Sequence, residues 1–264
     1  MAVKRAQKGI QSIEVGYAVL RVLEHARGPL PLGEVAKAAG MSASKAHSYL
    51  VSLARVGLVA QDPVTNRYGL GPGALRLGLA ALAHIDLLTA ARAAMYDLVD
   101  ATGHTVFLSV WGNLGPTVIA RLEGANLVPV EVKVGTVMPM LISATGRAFL
   151  AFLPRVVTDP LVKPELKRLE LAKARGQPAL FDWSVVEEAR RHGVSRALGH
   201  VLRGFGGFAA PIFDHEGQVS AVITVIGDMN LIDARFEGPI ARRLLHATKA
   251  LSRQMGYVEK KAAL

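Results

Sequence analysis

The chain contains no cysteine. That excludes a disulfide framework, a cysteine-ligated zinc finger and a thiol nucleophile, and it agrees with a reducing compartment. No apolar run approaches the ~18 uncharged residues of a membrane helix, and Met1 to Lys8 lead into no signal-like apolar core. A soluble, cytoplasmic protein without a membrane partner is expected. Common catalytic patterns are missing too. The eight histidines show no H-x-x-x-H spacing, and neither a Gly-x-Ser-x-Gly elbow nor a P-loop lysine pattern is present. Asp214 and Glu216 fit a hairpin turn, and Glu187 with Glu188 a solvated helix face, so the carboxylates do not converge as an active site requires. No catalytic residue, metal or cofactor is expected. There is no internal repeat or low-complexity tract.

What is present is 264 residues, 51% hydrophobic and 20% charged. This length suits two domains at ~100 to 200 residues each, with ample material for buried cores. The formal charge of +10 is unevenly placed. Residues 1–83 hold ten Lys/Arg against four Asp/Glu, and the remainder holds 21 against 17. Positive charge is densest near the amino-terminal end, the footprint expected where phosphates are to be neutralised. Acidic lipid or RNA could use the same charge, but neither a polybasic amphipathic helix nor an aromatic base-stacking platform accompanies it.

The stretch from Met41 to Arg55 has two faces. Ala46, Leu50 and Leu53 recur at helical spacing and form a buried stripe, while Ser44, Lys45, His47, Ser48, Ser52 and Arg55 fall largely off it. A second helical pattern, 32–39, lies upstream, and only Gly40-Met41-Ser42 separates the two. Gly40 can close the first helix at positive φ and Ser42 can cap the second. The pair reads as a helix-turn-helix, whose second helix enters the DNA major groove. Ser42, Ser44, Lys45, His47 and Ser48 are the candidate DNA-binding residues. Two short amphipathic helices joined by Gly and Ser also occur in all-α domains that bind nothing, so the flanks matter.

Residues 1–11 are polar and basic without periodicity and read as a flexible arm. Ile13, Tyr17, Leu20 and Leu23 then mark one stripe of a first helix. After the reading helix, 57–62 and 67–70 read as strands around a turn at Pro63, the pattern of a wing. Arg67 is the candidate for a minor-groove contact there, or else an ordinary solvated charge. Gly71-Pro72-Gly73 lacks the third glycine and the βαβ setting of a dinucleotide fingerprint and reads as a turn. Leu75, Leu77, Leu79, Ala80 and Leu82 follow on a helix apolar over much of its surface, which self-association would cover. A second helix, 87–100, opens the larger domain. Strands are expected at 105–110, 117–119, 128–132, 208–213 and 219–226. Helices are expected at 144–152, 164–175, 183–192 and 239–255, and Asp214 to Gly217 is a hairpin turn. This order argues for an α+β sheet with helices packed around it.

Together these pieces resemble IclR-type bacterial transcriptional regulators. The resemblance rests on Gly40-Met41-Ser42-Ala43-Ser44-Lys45-Ala46-His47, on Leu53 to Val59 and on Tyr68-Gly69-Leu70-Gly71. In the second domain it rests on Gly135 to Met140, on Ala144-Thr145-Gly146-Arg147-Ala148, and on Ala209 to Asp214 with Gly217. It implies an α+β protein with an N-terminal winged helix-turn-helix over 12–72 and a linker, dimerisation helix over 73–85. A C-terminal GAF-like effector-binding domain over 86–258 completes it. The implied partners are double-stranded DNA with a palindromic operator, a small-molecule effector and further copies of the chain, as a homodimer or homotetramer.

The resemblance also carries over residues. Ligand contacts of relatives fall on positions matching Ala144, Thr145, Gly207, Thr224 and Ile226, with Met140, Gly146 and Arg147 beside them. Backbone N–H groups at the start of the helix at Ala144 favour a carboxylate. The family often has Lys and Arg where this chain has Ala43 and Ser48, and Thr where it has Lys45, so the reading helix is less basic than the norm. Relatives also commonly carry an acidic cluster where this chain has Ser195-Arg196-Ala197-Leu198-Gly199-His200. With no acid there, Arg196 and His200 would make that side of the pocket neutral or positive and favour an organic acid, aromatic or short aliphatic. The resulting expectation is a regulator whose operator affinity is set by such an acid. A sequence-independent architectural DNA binder and a small-molecule enzyme built on the second domain are the alternatives.

Overall fold

The computed structural model describes residues 9–83, 86–126, 128 and 132–259, with 81–83 given by backbone alone. The chain forms two compact units that divide between residues 85 and 86. Residues 1–8 of the expected arm, and most of the strand expected at 128–132, lie outside the described residues. No helix among the described residues is long and apolar enough to cross a membrane.

The first unit is three helices and a hairpin: α1 Gln11–His25, α2 Leu32–Ala38, α3 Ala43–Arg55, β1 Val59–Gln61 and β2 Tyr68–Leu70. Its core joins Val19, Val35, Leu50, Val59 and Tyr68. Burying each such side chain contributes roughly 1.5–3 kcal/mol. The turn between α2 and α3 follows the expected chemistry. Gly40 has φ 65°, and the Met41 amide reaches back to the Ala36 carbonyl at 3.0 Å. The stripe expected on α1 is rotated, however. Gly16, Val19 and Leu23 are buried, whereas Ile13 and Tyr17 are 66% and 57% exposed. Gly16 lies against the ring of Tyr49 on α3, where a Cβ would come to 3.4 Å. The hairpin is antiparallel, with Ala60 opposite Gly69. Gly71-Pro72-Gly73, read as a turn, is instead the helix start: only Gly71 precedes α4, Pro72–Ala83, and Pro72 sits at its first position, where a missing N–H costs nothing. A Cβ at Gly73 would fall 2.6 Å from the Gly57 carbonyl that its own amide binds.

The second unit is a five-stranded antiparallel sheet with helices on both faces. Its elements are α5 Leu87–Thr102, β3 Thr105–Gly112, β4 Gly115–Leu122, α6 Ala144–Phe152, α7 Arg155–Ala174, α8 Ser184–His192, β5 Ser195–Leu198, β6 Phe205–Phe213, β7 Val219–Asp228 and α9 Pro239–Gln254. The strand order is β4-β3-β7-β6-β5. Period-two alternation sorts the strands onto two cores. Leu108, Phe208, Ala210, Ile223 and Val225 pack with Met95 of α5 and Leu244 of α9. Ala209 and Val222 face the other way, onto Ala148 and Phe149 of α6. The β6–β7 turn is built as expected, with Asp214 Oδ1 accepting from the amides of Glu216 and Gln218 at 2.9 Å each.

Two expectations need correction. The helix read over 164–175 begins at Arg155 and runs through Pro160 and Pro164. Both prolines lie on its exposed side, where the carbonyls they leave unpaired face water. The strand β5 was not expected at all.

Candidate functional site

The first candidate site is the outer face of α3. Ala46 and Leu50 are fully buried, which turns Ser44, Lys45, His47 and Ser48 to the surface. The serines are locally engaged. Ser42 Oγ caps the helix by accepting from the Lys45 amide at 3.3 Å. Ser48 Oγ donates to the Ser44 carbonyl at 3.2 Å, and Ser52 Oγ to the Ser48 carbonyl at 3.0 Å. Lys45 and His47 have side chains without an intramolecular partner among the described residues. They are two side chains on this face with free donor or acceptor groups of their own among the described residues. The wing tip carries no cation. Asp62 Oδ1 accepts from the amides of Thr65 and Val64, and those bonds hold its carboxyl below the usual carboxylate range. Arg67 stands just below the turn, opposite Asp62, whose amide donates to the Arg67 carbonyl at 2.8 Å, and its Nη1 donates to the Pro29 carbonyl at 3.2 Å. That leaves the rest of an exposed guanidinium free to donate.

The second candidate site is a cavity of ≈ 40 Å³ between the start of α6 and the sheet. Of the residues expected to bind an effector, Ala144, Thr145, Gly207, Thr224 and Ile226 line it together. Thr145 Oγ1 and Thr224 Oγ1 lie 2.8 Å apart and satisfy each other in a setting where both residues are buried. The sequence reading missed the apolar walls, notably Phe107, Val132 and Met138 beneath and Val201, Leu202 and Phe205 across the opening. Nothing in the local pattern marks these as other than core or loop.

The cap of α6 decides which backbone donors remain. Ser143 Oγ accepts from the Gly146 amide at 2.9 Å, and the Ser143 carbonyl accepts from the Arg147 amide at 3.0 Å. The amides of Ala144 and Thr145 are left without a partner among the described residues, the arrangement that suits an anion. Gly146 has a packing role. A Cβ there would come within 2.1 Å of the Pro139 carbonyl and 2.5 Å of Met140 Cα.

Met140, Arg147 and His200 do not line the cavity. Met140 packs with Leu141, Leu150 and Val162, and Glu165, itself buried, accepts from the Met140 and Leu141 amides at 2.9 and 3.2 Å. Arg147 is 2% exposed. Its guanidinium donates to the carbonyls of Leu141, Arg196 and Leu180 at 2.7, 2.8 and 3.1 Å, and to His200 Nδ1 at 3.0 Å. Burial draws it down to about 10, against a smaller opposite pull from Glu188. Arg147 and His200 instead line a separate cleft of ≈ 220 Å³ with Glu188, Arg196 and Phe236. Arg196 is held there by the Ala234 carbonyl at 2.6 Å and by the Phe236 ring, 4.1 Å from its guanidinium. The expected positive side of the pocket is therefore a polar brace outside it.

Comparison with known proteins gives matches to both units. A family described as IclR helix-turn-helix domain matches residues 12–63, and one described as bacterial transcriptional regulator IclR C-terminal matches residues 79–254. The HTH-type transcriptional regulator XynR of Escherichia coli is 24% identical over 94% of this chain and 98% of its own length. The glycerol operon regulatory protein of Streptomyces griseus is 27% identical, with the same coverage. Among solved structures, HmgR of Pseudomonas aeruginosa is 39% identical over 95% of this chain and 100% of that one, with a TM-score of 0.78. The repressor BlcR of Agobacterium tumefaciens shares the fold at 19% identity, covering 96% of this chain and 100% of that one, with a TM-score of 0.73.

Proposed function

This chain belongs to the IclR family of bacterial transcriptional regulators, and from that premise we propose that a small organic acid bound in its second unit sets its affinity for a palindromic operator in double-stranded DNA. The regulator works in the cytoplasm as a homodimer or homotetramer. The observation that carries the DNA half is the division of α3, with Ala46 and Leu50 wholly buried and the side chains of Lys45 and His47 exposed without partners among the described residues. Those two side chains contact bases or phosphates in the major groove, with Ser44 and Ser48 beside them. Ser42 acts by fixing the helix start. Arg67 serves as a phosphate contact beside the wing turn.

The effector half rests on the cavity under α6. Ala144, Thr145, Gly207, Thr224 and Ile226 line it together, the Thr145 and Thr224 hydroxyls supply polar contacts, and the amides of Ala144 and Thr145 receive the carboxylate. Ligand pockets usually measure ~300–1,000 Å³, so admission requires a wall of this ≈ 40 Å³ cavity to move. The wall that can yield is the segment between β5 and β6, which brings Val201 and Leu202 to the opening and is tied down by the His200–Arg147 bond. Met140, Gly146, Arg147 and His200 thus shape the site from behind.

Ligand binding favours one arrangement of the dimer and changes how well two reading helices match half-sites about one helical turn apart. A coupling of ~1–3 kcal/mol would alter operator affinity about 5- to 150-fold. The linker helix α4, with Leu75, Leu77 and Leu79 65%, 63% and 56% exposed, holds the dimer together. The test is a gel-shift titration on the DNA upstream of the chain's own gene, with unrelated DNA and a Lys45→Ala/His47→Ala variant alongside. A discrete shift that the variant loses and that organic acids modulate is the expected result. Equal affinity for both DNAs would instead mark an architectural binder.

A further inference from the structure

A second cleft in the C-terminal unit, of ≈ 830 Å³, has chemistry that the effector cavity lacks. It lies between the end of α8, the second half of α9 and the residues that follow α9. Its floor is aromatic. Phe152 meets Phe213 edge-on at 5.6 Å, and Tyr257 packs against Phe213 at 5.0 Å. Its rim is cationic, with Arg191, Lys249 and Arg253 all exposed. Arg191 and Arg253 have no hydrogen-bond or ionic partner among the described residues. Arg190, also on the rim, is already committed to the Ala151 carbonyl and to Glu187. His192 also lines the cleft, with its ring stacked on Phe236 at 4.1 Å.

The chain itself shows what this cleft accepts. The Tyr257 amide is anchored on the Ser252 carbonyl at 2.9 Å, which sets its ring on Phe213. Two residues later the Glu259 carboxylate reaches Lys249 Nζ at 3.4 Å. An aromatic ring and a carboxylate are thereby seated side by side, the ring on the floor and the anion on the rim. The carboxylate is loosely held, for Lys249 and Glu259 are 55% and 74% exposed, and one acid among three cations leaves the rim positive. Exposed pairs of this kind exchange readily with a competing anion.

We propose that this cleft is a second small-molecule site, separate from the cavity beneath α6, and that it takes an aromatic carboxylate in competition with Glu259. The ring packs in the cleft beside the Phe213–Tyr257 pair, and the carboxylate is received by Arg191 and Arg253, whose planar forks suit it. An acidic peptide would find the same cations, but the narrow pairing of one ring with one anion matches a small molecule.

The test is calorimetric titration of the full-length protein with naphthalene-2-carboxylate, using naphthalene-2-carboxamide as the uncharged control. The carboxylate is expected to bind and the carboxamide to bind much more weakly. Arg191→Ala/Arg253→Ala should weaken the carboxylate by about tenfold or more through loss of charge-assisted bonds, and Glu259→Gln should tighten it. These side chains are exposed, so unchanged thermal unfolding confirms that the variants fold. A Thr145→Val/Thr224→Val variant, altered in the other cavity, should keep the arginine-dependent component. The proposal is overturned if the double arginine variant binds as the parent does, if the carboxamide binds equally, or if the threonine variant loses the signal. It is also overturned if a poly-glutamate peptide binds where the carboxylate does not, which would assign the cleft to a protein partner.

Discussion

Arg147 on α6 and His200 just beyond β5 are joined by a hydrogen bond of 3.0 Å from Nη2 to Nδ1. A guanidinium only donates, so the ring nitrogen accepts and the imidazole is neutral, with its proton on Nε2. Burial first, and the charge of Arg147 second, push His200 below its ordinary value of 6.5. The bond fastens the segment that carries Val201 and Leu202 to the cavity opening, although neither partner reaches that cavity.

The direction of this shift fixes a pH dependence. In the unfolded chain the imidazole titrates near 6.5, so below that pH the unfolded state binds more protons than the folded one. The stability tied to neutral His200 is therefore complete above 6.5 and is lost as pH falls through its lower folded value. His104, 3% exposed and pushed the same way by burial, adds to the slope. Urea unfolding followed from about pH 7.5 to about pH 5 should show the second unit weakening. His200→Asn, which keeps an acceptor for Arg147, should flatten part of that loss. Stability that is level or rises on acidification would contradict the assignment. The charged neighbours in the same cleft are Glu188 and Arg196.

Arg147 is a brace, and its removal should be costly. Arg147→Met leaves the carbonyls of Leu141, Leu180 and Arg196 without their donor in a buried setting. At ~1–3 kcal/mol for each group left unsatisfied, a loss of about 3–5 kcal/mol is expected after partial relaxation. Arg147→Lys should recover little, because one ammonium cannot span three diverging carbonyls. Denaturant midpoints measure this directly. A cost under about 1 kcal/mol would mean that water replaces the guanidinium without penalty.

The serines that open α3 should separate by role. Ser42→Ala removes the acceptor for the Lys45 amide and should lower the stability of the first unit by ~1 kcal/mol. Ser44 is exposed and contributes only its carbonyl to a local bond, so Ser44→Ala should leave thermal unfolding unchanged while weakening operator binding. If both variants melted alike and bound alike, the division between cap and contact would fail.

The reading head was legible because its signals are local. Gly40 and Ser42 announce the turn, and Ala46, Leu50 and Leu53 announce the buried face, all within one window of sequence. The Asp214 to Gly217 turn is local in the same way. The cavity beneath α6 was half legible: Ala144, Thr145, Gly207, Thr224 and Ile226 come together, but only through pairings such as Ala209 opposite Thr224 and Phe107 opposite Thr224, which no window contains. Strand β5 escaped notice because it is four residues at a sheet edge with small Ser195 and Ala197 inward. The prolines hid the start of α7, since their position on the exposed side is a tertiary fact. Arg147 and His200 misled for a related reason. Charge in sequence suggests a ligand, yet here the partners are backbone carbonyls and each other.

The helix α4 offers the last expectation. Leu75 and Leu79 are one turn apart and share a face, while Leu77 projects to the opposite side, and all three are more than half exposed. Covering such leucines contributes roughly 1.5–3 kcal/mol each, enough for a pair of them to hold two chains together when contributed from both sides. Leu75→Glu/Leu79→Glu places charge on that face, and burying an unpaired carboxylate opposes association strongly. Sedimentation should show the oligomer dissociating toward monomer, and affinity for DNA with two half-sites should fall much further than affinity for a single half-site. The single site needs only one reading helix, so its retention also reports that the first unit is still folded. An oligomer that persists with undiminished two-site affinity would remove α4 from the interface and move the association to the second unit.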